Sequence, residues 1–245
     1  MRPSDAPSPT IVPQPTPWPS ARTVVLRPIL VLLVGLGLFI ILPAILIPRL
    51  GLQLDLRDRT LVAFAGTLIA ELILFAFLLR WLHAEGRTLR DIGFGRSTTA
   101  GAVAFGVLFA VVYAVYTLHN PAIGTHAREV SLFKLAGVTV GLVAAVIEEC
   151  AFRGYIMSSL ERCRVSTPKQ VLLSGMAFGI IHAGFDWIGV VLTFLLGVVL
   201  AGTYVLGKRS LTPSIVSHAL VNLAIEPWLL LFIVDMYGKL ARAVG

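Results

Sequence analysis

Charge is what this sequence has least of: Asp, Glu, Lys and Arg make up 13% of its 245 residues, whereas 57% are hydrophobic. A water-soluble domain carries about a quarter of its residues charged, so a hydrated surface over the whole chain is excluded. Cysteine is nearly absent as well. Cys150 and Cys163 cannot frame a disulfide scaffold, and both lie in or beside one helical segment, so they say nothing about redox compartment. No internal repeat is visible, which leaves an inverted-repeat transporter without support. The zinc-peptidase pattern His-Glu-x-x-His is missing too.

What remains is oil in long blocks. Mean hydropathy is +0.87, and the apolar runs reach the roughly 20 residues that a helix needs to cross a bilayer. The expected fold class is therefore all-α, a polytopic transmembrane bundle embedded in the lipid bilayer. Helices are expected over about 27–48, 60–82, 98–118, 132–161, 168–184, 187–206, 211–225 and 227–240. Proline marks several of the boundaries: Pro48, Pro168, Pro213 and Pro227. The last two segments are short, and one kinked helix over 211–237 would give seven spans instead of eight. Residues 1–22 read as a disordered tail, with seven prolines among the first 20 residues. The apolar block after it is too long for a signal-peptide core and lacks a small-residue cleavage site. Residues 23–97 then form N-terminal membrane helices, and residues 98–240 form a core.

The formal net charge of +7 does not point to nucleic acid, because the basic residues sit in short loops between oily blocks. On the eight-helix reading, 14 of the 20 basic residues fall on the side of the N-terminus and five on the other. By the positive-inside rule both termini are cytoplasmic, in a multi-pass protein of the cell (inner) membrane. Arg153 belongs to neither set, since it lies within a span.

An ionised side chain at bilayer centre costs about 2.5–3.5 kcal/mol on insertion scales, so it is rare and tends to be functional. The stretch "AAVIEECAFRGY" (144–155) holds three such groups. Glu149 and Arg153 are four apart on one helix face, with the glutamate N-terminal, the favourable order for an ion pair. Glu148 is rotated about 100° from Glu149 and is free to face a cavity, where a carboxylate suits a general base. Downstream, "FGIIH" sets Phe178 and His182 one turn apart, and "HALVN" does the same for His218 and Asn222. Each pair alone is as well explained by interhelical packing. Together they supply the parts for hydrolysis of a peptide by water. Glu148 takes the proton, His182 orients or polarises the water, and His218 with Asn222 stabilises the oxyanion. Glu71, in the middle of "LIAELILF", has no place in this set. Its spacing leaves open a structural role, with Arg153 or another polar helix as its partner.

The ordered motifs "EECAFR", "FGIIH" and "HALVN", over about 144–225, resemble those of the CPBP family of CAAX proteases and bacteriocin-processing (Abi) enzymes. "TLRDIGFGR" at 88–96 is similar to the short loop before that family's core. The resemblance implies an intramembrane endopeptidase, of glutamate or metal-dependent type, acting on a membrane-associated or lipidated protein or peptide. It implies Glu148 as base, Glu149 with Arg153 as supporting pair, and His182, His218 and Asn222 completing the site. If a zinc ion is bound, Glu148, His182 and His218 are its expected ligands, with a fourth position open. A metal-free site is slightly preferred, because a glutamate that ligates zinc is poorly placed to be the base as well. The alternative is a non-catalytic binding or bacteriocin self-immunity protein that uses the same polar core.

Overall fold

The computed structural model describes residues 18–118, 132–182 and 187–224, and every regular element among these is helical. Helix α1 runs over Ala21–Arg49. It starts six residues before the expected position, because Ser20 caps it: the Ser20 hydroxyl oxygen accepts the Thr23 N–H at 3.2 Å. The helix widens into a π-helical turn over Gly37–Ile41. Helix α2 (Leu56–Ala84) is capped in the same way by Asp55, which accepts the Asp58 N–H at 2.8 Å. A 3₁₀ turn at Leu89–Ile92 follows, fixed by a capping box between Thr88 and Asp91. The Thr88 amide and hydroxyl both donate to the exposed Asp91 carboxylate and hold its pKa below the ordinary aspartate value.

Helix α3 covers Ala100–Leu118. Helix α4 is α-helical over Leu132–Glu148, π-helical over Glu149–Met157 and α-helical again over Ser158–Arg162. Helices α5 (Thr167–Ile181) and α6 (Trp187–Leu206) follow, then α7 over 212–224. Four helical stretches are long and apolar enough to cross a membrane: Ala21–Arg49, Asp58–Ala84, Leu135–Arg162 and Gly189–Leu206. A shorter apolar stretch spans Ala100–Tyr116. The expected segment at 227–240 and residues 1–17 of the tail lie outside the described residues.

Small residues let these helices approach closely, as expected where dispersion and not water-driven burial holds a bundle together. A side chain on Gly175 or Gly179 of α5 would press on Val198 or Phe194 of α6. One on Gly106 of α3 would meet the Pro213 carbonyl at 3.0 Å and the Ser217 side chain at 3.2 Å, on α7. Helix α1 lies on α2, with Gly35 against Ala70.

Helix α4 is the axis of the assembly. All nine residues of its π-helical stretch are buried, enclosed by α1, α2, α5, α6 and the 3₁₀ turn. Leucines and valines such as Leu108, Val112, Leu192 and Leu195 stand exposed on the outer helices, the pattern of a surface bathed in lipid.

A polar network ties one end of α4 to the N-terminal helices. Arg27 of α1 donates to Tyr155 Oη at 2.9 Å and to Glu85 Oε1 at 3.2 Å, and the Tyr155 hydroxyl donates to the same Glu85 oxygen at 2.9 Å. Arg87 reaches Glu85 Oε2 at 3.3 Å and Ser159 Oγ at 2.6 Å, and it also donates to Ser158. Burial and the Arg162 charge lower the Arg87 pKa, and Glu85 opposes the shift.

Candidate active site

Three helices deliver the polar side chains. Glu148, Glu149 and Arg153 come from α4, Phe178 and His182 from the end of α5, and His218 and Asn222 from α7. The Glu149–Arg153 pairing read from spacing is present. Arg153 Nη1 donates to Glu149 Oε1 at 2.7 Å, and both side chains are completely buried. A buried ion pair is strengthened by further hydrogen bonds to its remaining atoms, of which Glu149 Oε2 and Arg153 Nε have none among the described residues. Here Arg153 Nη2 donates to the Gly197 carbonyl of α6 at 3.2 Å, and the guanidinium lies 4.4 Å over the Phe178 ring.

His218 of α7 faces the acidic pair of α4. Its Nδ1 donates to Glu149 Oε1 at 2.9 Å, and its Nε2 lies 3.5 Å from Glu148 Oε2. One imidazole thus spans both members of the acidic pair. The π-helical widening begins at Glu149, where the broader turn departs from the 100° step of an α-helix. Such widenings recur at functional sites.

His182 ends α5, and its Nδ1 is 2.8 Å from the Phe178 carbonyl. A carbonyl can only accept, so Nδ1 carries the hydrogen, and in the neutral ring Nε2 holds the lone pair. Glu148 and His218 are both near enough to act on His182 electrostatically. Phe178 forms the common wall. Its ring centroid lies 4.7 Å from that of His182, 5.5 Å from that of His218 and 5.6 Å from that of Phe152. The sequence showed Phe178 only as a spacing mark for His182; contact with the cation and both imidazoles is what the fold adds.

Asn222 is engaged elsewhere. Its Nδ2 donates to the Gly141 carbonyl at 2.9 Å. Gly141 is seven residues, roughly 10 Å of helical rise, before Glu148. Asn222 therefore fastens α7 to α4, with one amide N–H left over. Glu71, which spacing left without a role, is buried on α2 and does not pair with Arg153, whose guanidinium is held by Glu149 and the Gly197 carbonyl.

Residues 130–224 match the Rce1-like family model, that of the type II CAAX prenyl endopeptidases. No curated protein and no solved structure matches the chain. The Rce1-like segment covers all of α4 from Leu132 onward, α5, α6 and α7 up to residue 224, and so holds every motif residue named above. It starts 14 residues before the stretch whose motifs carry the resemblance. Its match supports a peptidase embedded in the membrane. Helices α1 to α3, and Glu71 with them, lie outside the Rce1-like segment.

The conditional zinc ligands Glu148, His182 and His218 gain no support from the donor geometry. Among the described residues no three His, Cys, Asp or Glu side chains are grouped to hold a metal ion.

Proposed function

We propose that this chain is an intramembrane endopeptidase in which Glu148 activates a water molecule against a peptide bond. What supports this reading is that His218 Nε2 lies 3.5 Å from Glu148 Oε2 while the His182 and His218 rings both pack on Phe178, side chains brought together from three helices. Glu148 is 8% exposed and His218 3%, so their interactions act in a low-dielectric setting where preorganised dipoles are worth most.

Each residue then has a role. A water held between Glu148 and the His182 Nε2 lone pair loses a proton to the Glu148 carboxylate as its oxygen attacks the carbonyl carbon. The charge that develops on the carbonyl oxygen is met by the Nε2–H of His218. Glu149 accepts the Nδ1–H of that ring and stabilises its cationic form, as the third member of a catalytic triad does for its histidine. When the C–N bond breaks, Glu148 returns the proton to the leaving amine. Arg153 neutralises Glu149, so the chamber holds one net reactive carboxylate. The remaining Asn222 N–H is a secondary donor. The substrate is the C-terminal stretch of a membrane-bound protein carrying a prenyl chain, a class taken from the name of the matched family. The basic-loop asymmetry supports a cytoplasmic N-terminus.

The test is cleavage of a fluorogenic peptide ending in a prenylated cysteine and three further residues, in proteoliposomes, backed by comparison of membrane-proteome termini with and without the chain. Glu148→Ala and His182→Ala are expected to abolish cleavage while eluting as folded protein. Full activity in both variants would overturn the assignment.

A further inference from the structure

The C-terminal end of α4 borders a cavity of about 420 Å³, lined by Trp18, Pro19, Val24, Ser159, Arg162 and Cys163. That volume falls within the ~300–1,000 Å³ of small-molecule pockets and far exceeds the roughly 30 Å³ of one water. Cys163 Sγ, 3.7 Å from the Pro19 carbonyl, ties the segment before α1 to the end of α4. Two membrane-length stretches end here: Ala21–Arg49 begins just after Pro19, and Leu135–Arg162 stops at Arg162. The cavity therefore lies at the level where lipid headgroups begin, with the exposed Trp18 a residue type that favours that level.

Its polar wall is cationic. Ser159 Oγ accepts from Arg87 Nη1 at 2.6 Å, which leaves the serine hydrogen to donate. Arg27 and Arg87 share one carboxylate, Glu85, at 3.2 and 3.3 Å. Arg162 has no carboxylate partner among the described residues: Glu161 beside it pairs with Arg209 at 3.2 Å, and Asp91 accepts from Thr88. The Arg162 guanidinium instead lies 4.5 Å from the centroid of the Trp18 ring. Burial lowers the Arg87 pKa and the Arg162 charge lowers it further, so an anion placed here relieves a repulsion as well as pairing with Arg162.

We propose that this cavity binds the phosphate of an anionic membrane lipid, with the Arg162 guanidinium and the Ser159 hydroxyl on its oxygens and Trp18, Pro19 and Val24 against its glycerol and first methylenes. A basic pocket between helices at the membrane boundary suits such a headgroup. The apolar wall favours a lipid over a soluble phosphate, which has nothing to lay against Val24. The end of a cleaved peptide does not reach it. Ser159 comes 11 residues after Glu148 on the same helix, roughly 15 Å of rise, whereas three extended residues span at most about 11 Å. The bound lipid joins the start of α1 to the end of α4, and this site stands independently of the peptidase reading.

The test uses the full chain in neutral detergent micelles doped with phosphatidylglycerol or with phosphatidylcholine of the same acyl chains. Retained lipid is counted by native mass spectrometry, and the thermal unfolding midpoint is followed in parallel. Phosphatidylglycerol is expected to bind about tenfold more tightly than phosphatidylcholine and to raise the midpoint, as a ligand of the folded state does. Arg162→Gln, at an exposed position, is expected to cut that preference to about twofold or less. Arg90→Gln, which removes an exposed arginine of the 3₁₀ turn, leaves it unchanged. Equal retention of the two lipids, or an Arg162→Gln protein with its preference intact, overturns the proposal. So does an equal loss in Arg90→Gln, which assigns the preference to diffuse surface charge. A midpoint raised as much by inorganic phosphate as by phosphatidylglycerol overturns the lipid and puts a soluble anion in its place.

Discussion

Arg153 is the most consequential single side chain in the bundle for stability. It is wholly buried, and its partners are an ionised glutamate, a backbone carbonyl and an aromatic face. Removing one member of a buried ion pair leaves an uncompensated charge, which costs about 3–5 kcal/mol. Arg153→Ala is therefore expected to lower the thermal unfolding midpoint in detergent sharply and to cut the yield of monodisperse protein. The double variant Glu149→Gln/Arg153→Met, which leaves no charge behind, should recover part of that loss without recovering cleavage, because His218 no longer has its carboxylate. Normal folding of Arg153→Ala would show that the pair does not hold α4 in place.

At the scale of the element, the π-helical stretch and the turn packed against it form one unit. Gly154 lies against the 3₁₀ turn so closely that an added Cβ would stand 2.9 Å from Ile92 Cδ1 and 3.2 Å from the Ile92 carbonyl oxygen. That turn is anchored on its other side: Leu211 N–H donates to the Gly93 carbonyl at 3.1 Å, and the Tyr204 hydroxyl donates to the Ile92 carbonyl at 3.3 Å. Gly93 is itself left-handed, with φ 103°. Gly154→Ala should thus destabilise by about 1–3 kcal/mol, the usual range for overpacking. Ile92→Val, which removes the nearest methyl, should recover part of it in a double-variant cycle read by thermal unfolding. Additive losses would show that the two sites are not in contact.

The same elements show what sequence can and cannot carry. The spans of α2 to α7 follow from where apolar runs begin and stop, and the expected bounds lie within a few residues of those observed. The Glu149–Arg153 pair was legible because it is local, one turn of one helix. The early start of α1 was missed, since the Ser20 cap sits among prolines that read as tail. The π-helical widening left no trace in composition, because it changes hydrogen-bond register and not residue type. The double engagement of His218 and the attachment of Asn222 to Gly141 were illegible for a different reason. Each depends on which helix faces which, and hydrophobic periodicity separates lipid from interior without naming the neighbour.

For the whole molecule, the match to the Rce1-like model covers helices that do not stand alone. Arg27 of α1 and Glu85 and Arg87 just after α2 all reach polar groups of α4. A chain reduced to residues 98–240 would leave Tyr155, Ser158 and Ser159 without those partners and uncover part of α4, whose Glu149–Met157 stretch is buried throughout. Such a fragment is expected to aggregate on extraction, as judged by size-exclusion chromatography. Co-expression of residues 1–97 as a separate chain should rescue it. A fragment that is monodisperse and active on its own would show that the N-terminal helices are dispensable.

The ring of Phe178 borders one guanidinium and two imidazoles at once. Any change in its bulk is felt by all three, so the chemistry here tolerates little drift around that wall. New peptide preferences must then arise in the loops and outer helix faces that admit the substrate, while the hydrolytic centre stays as it is.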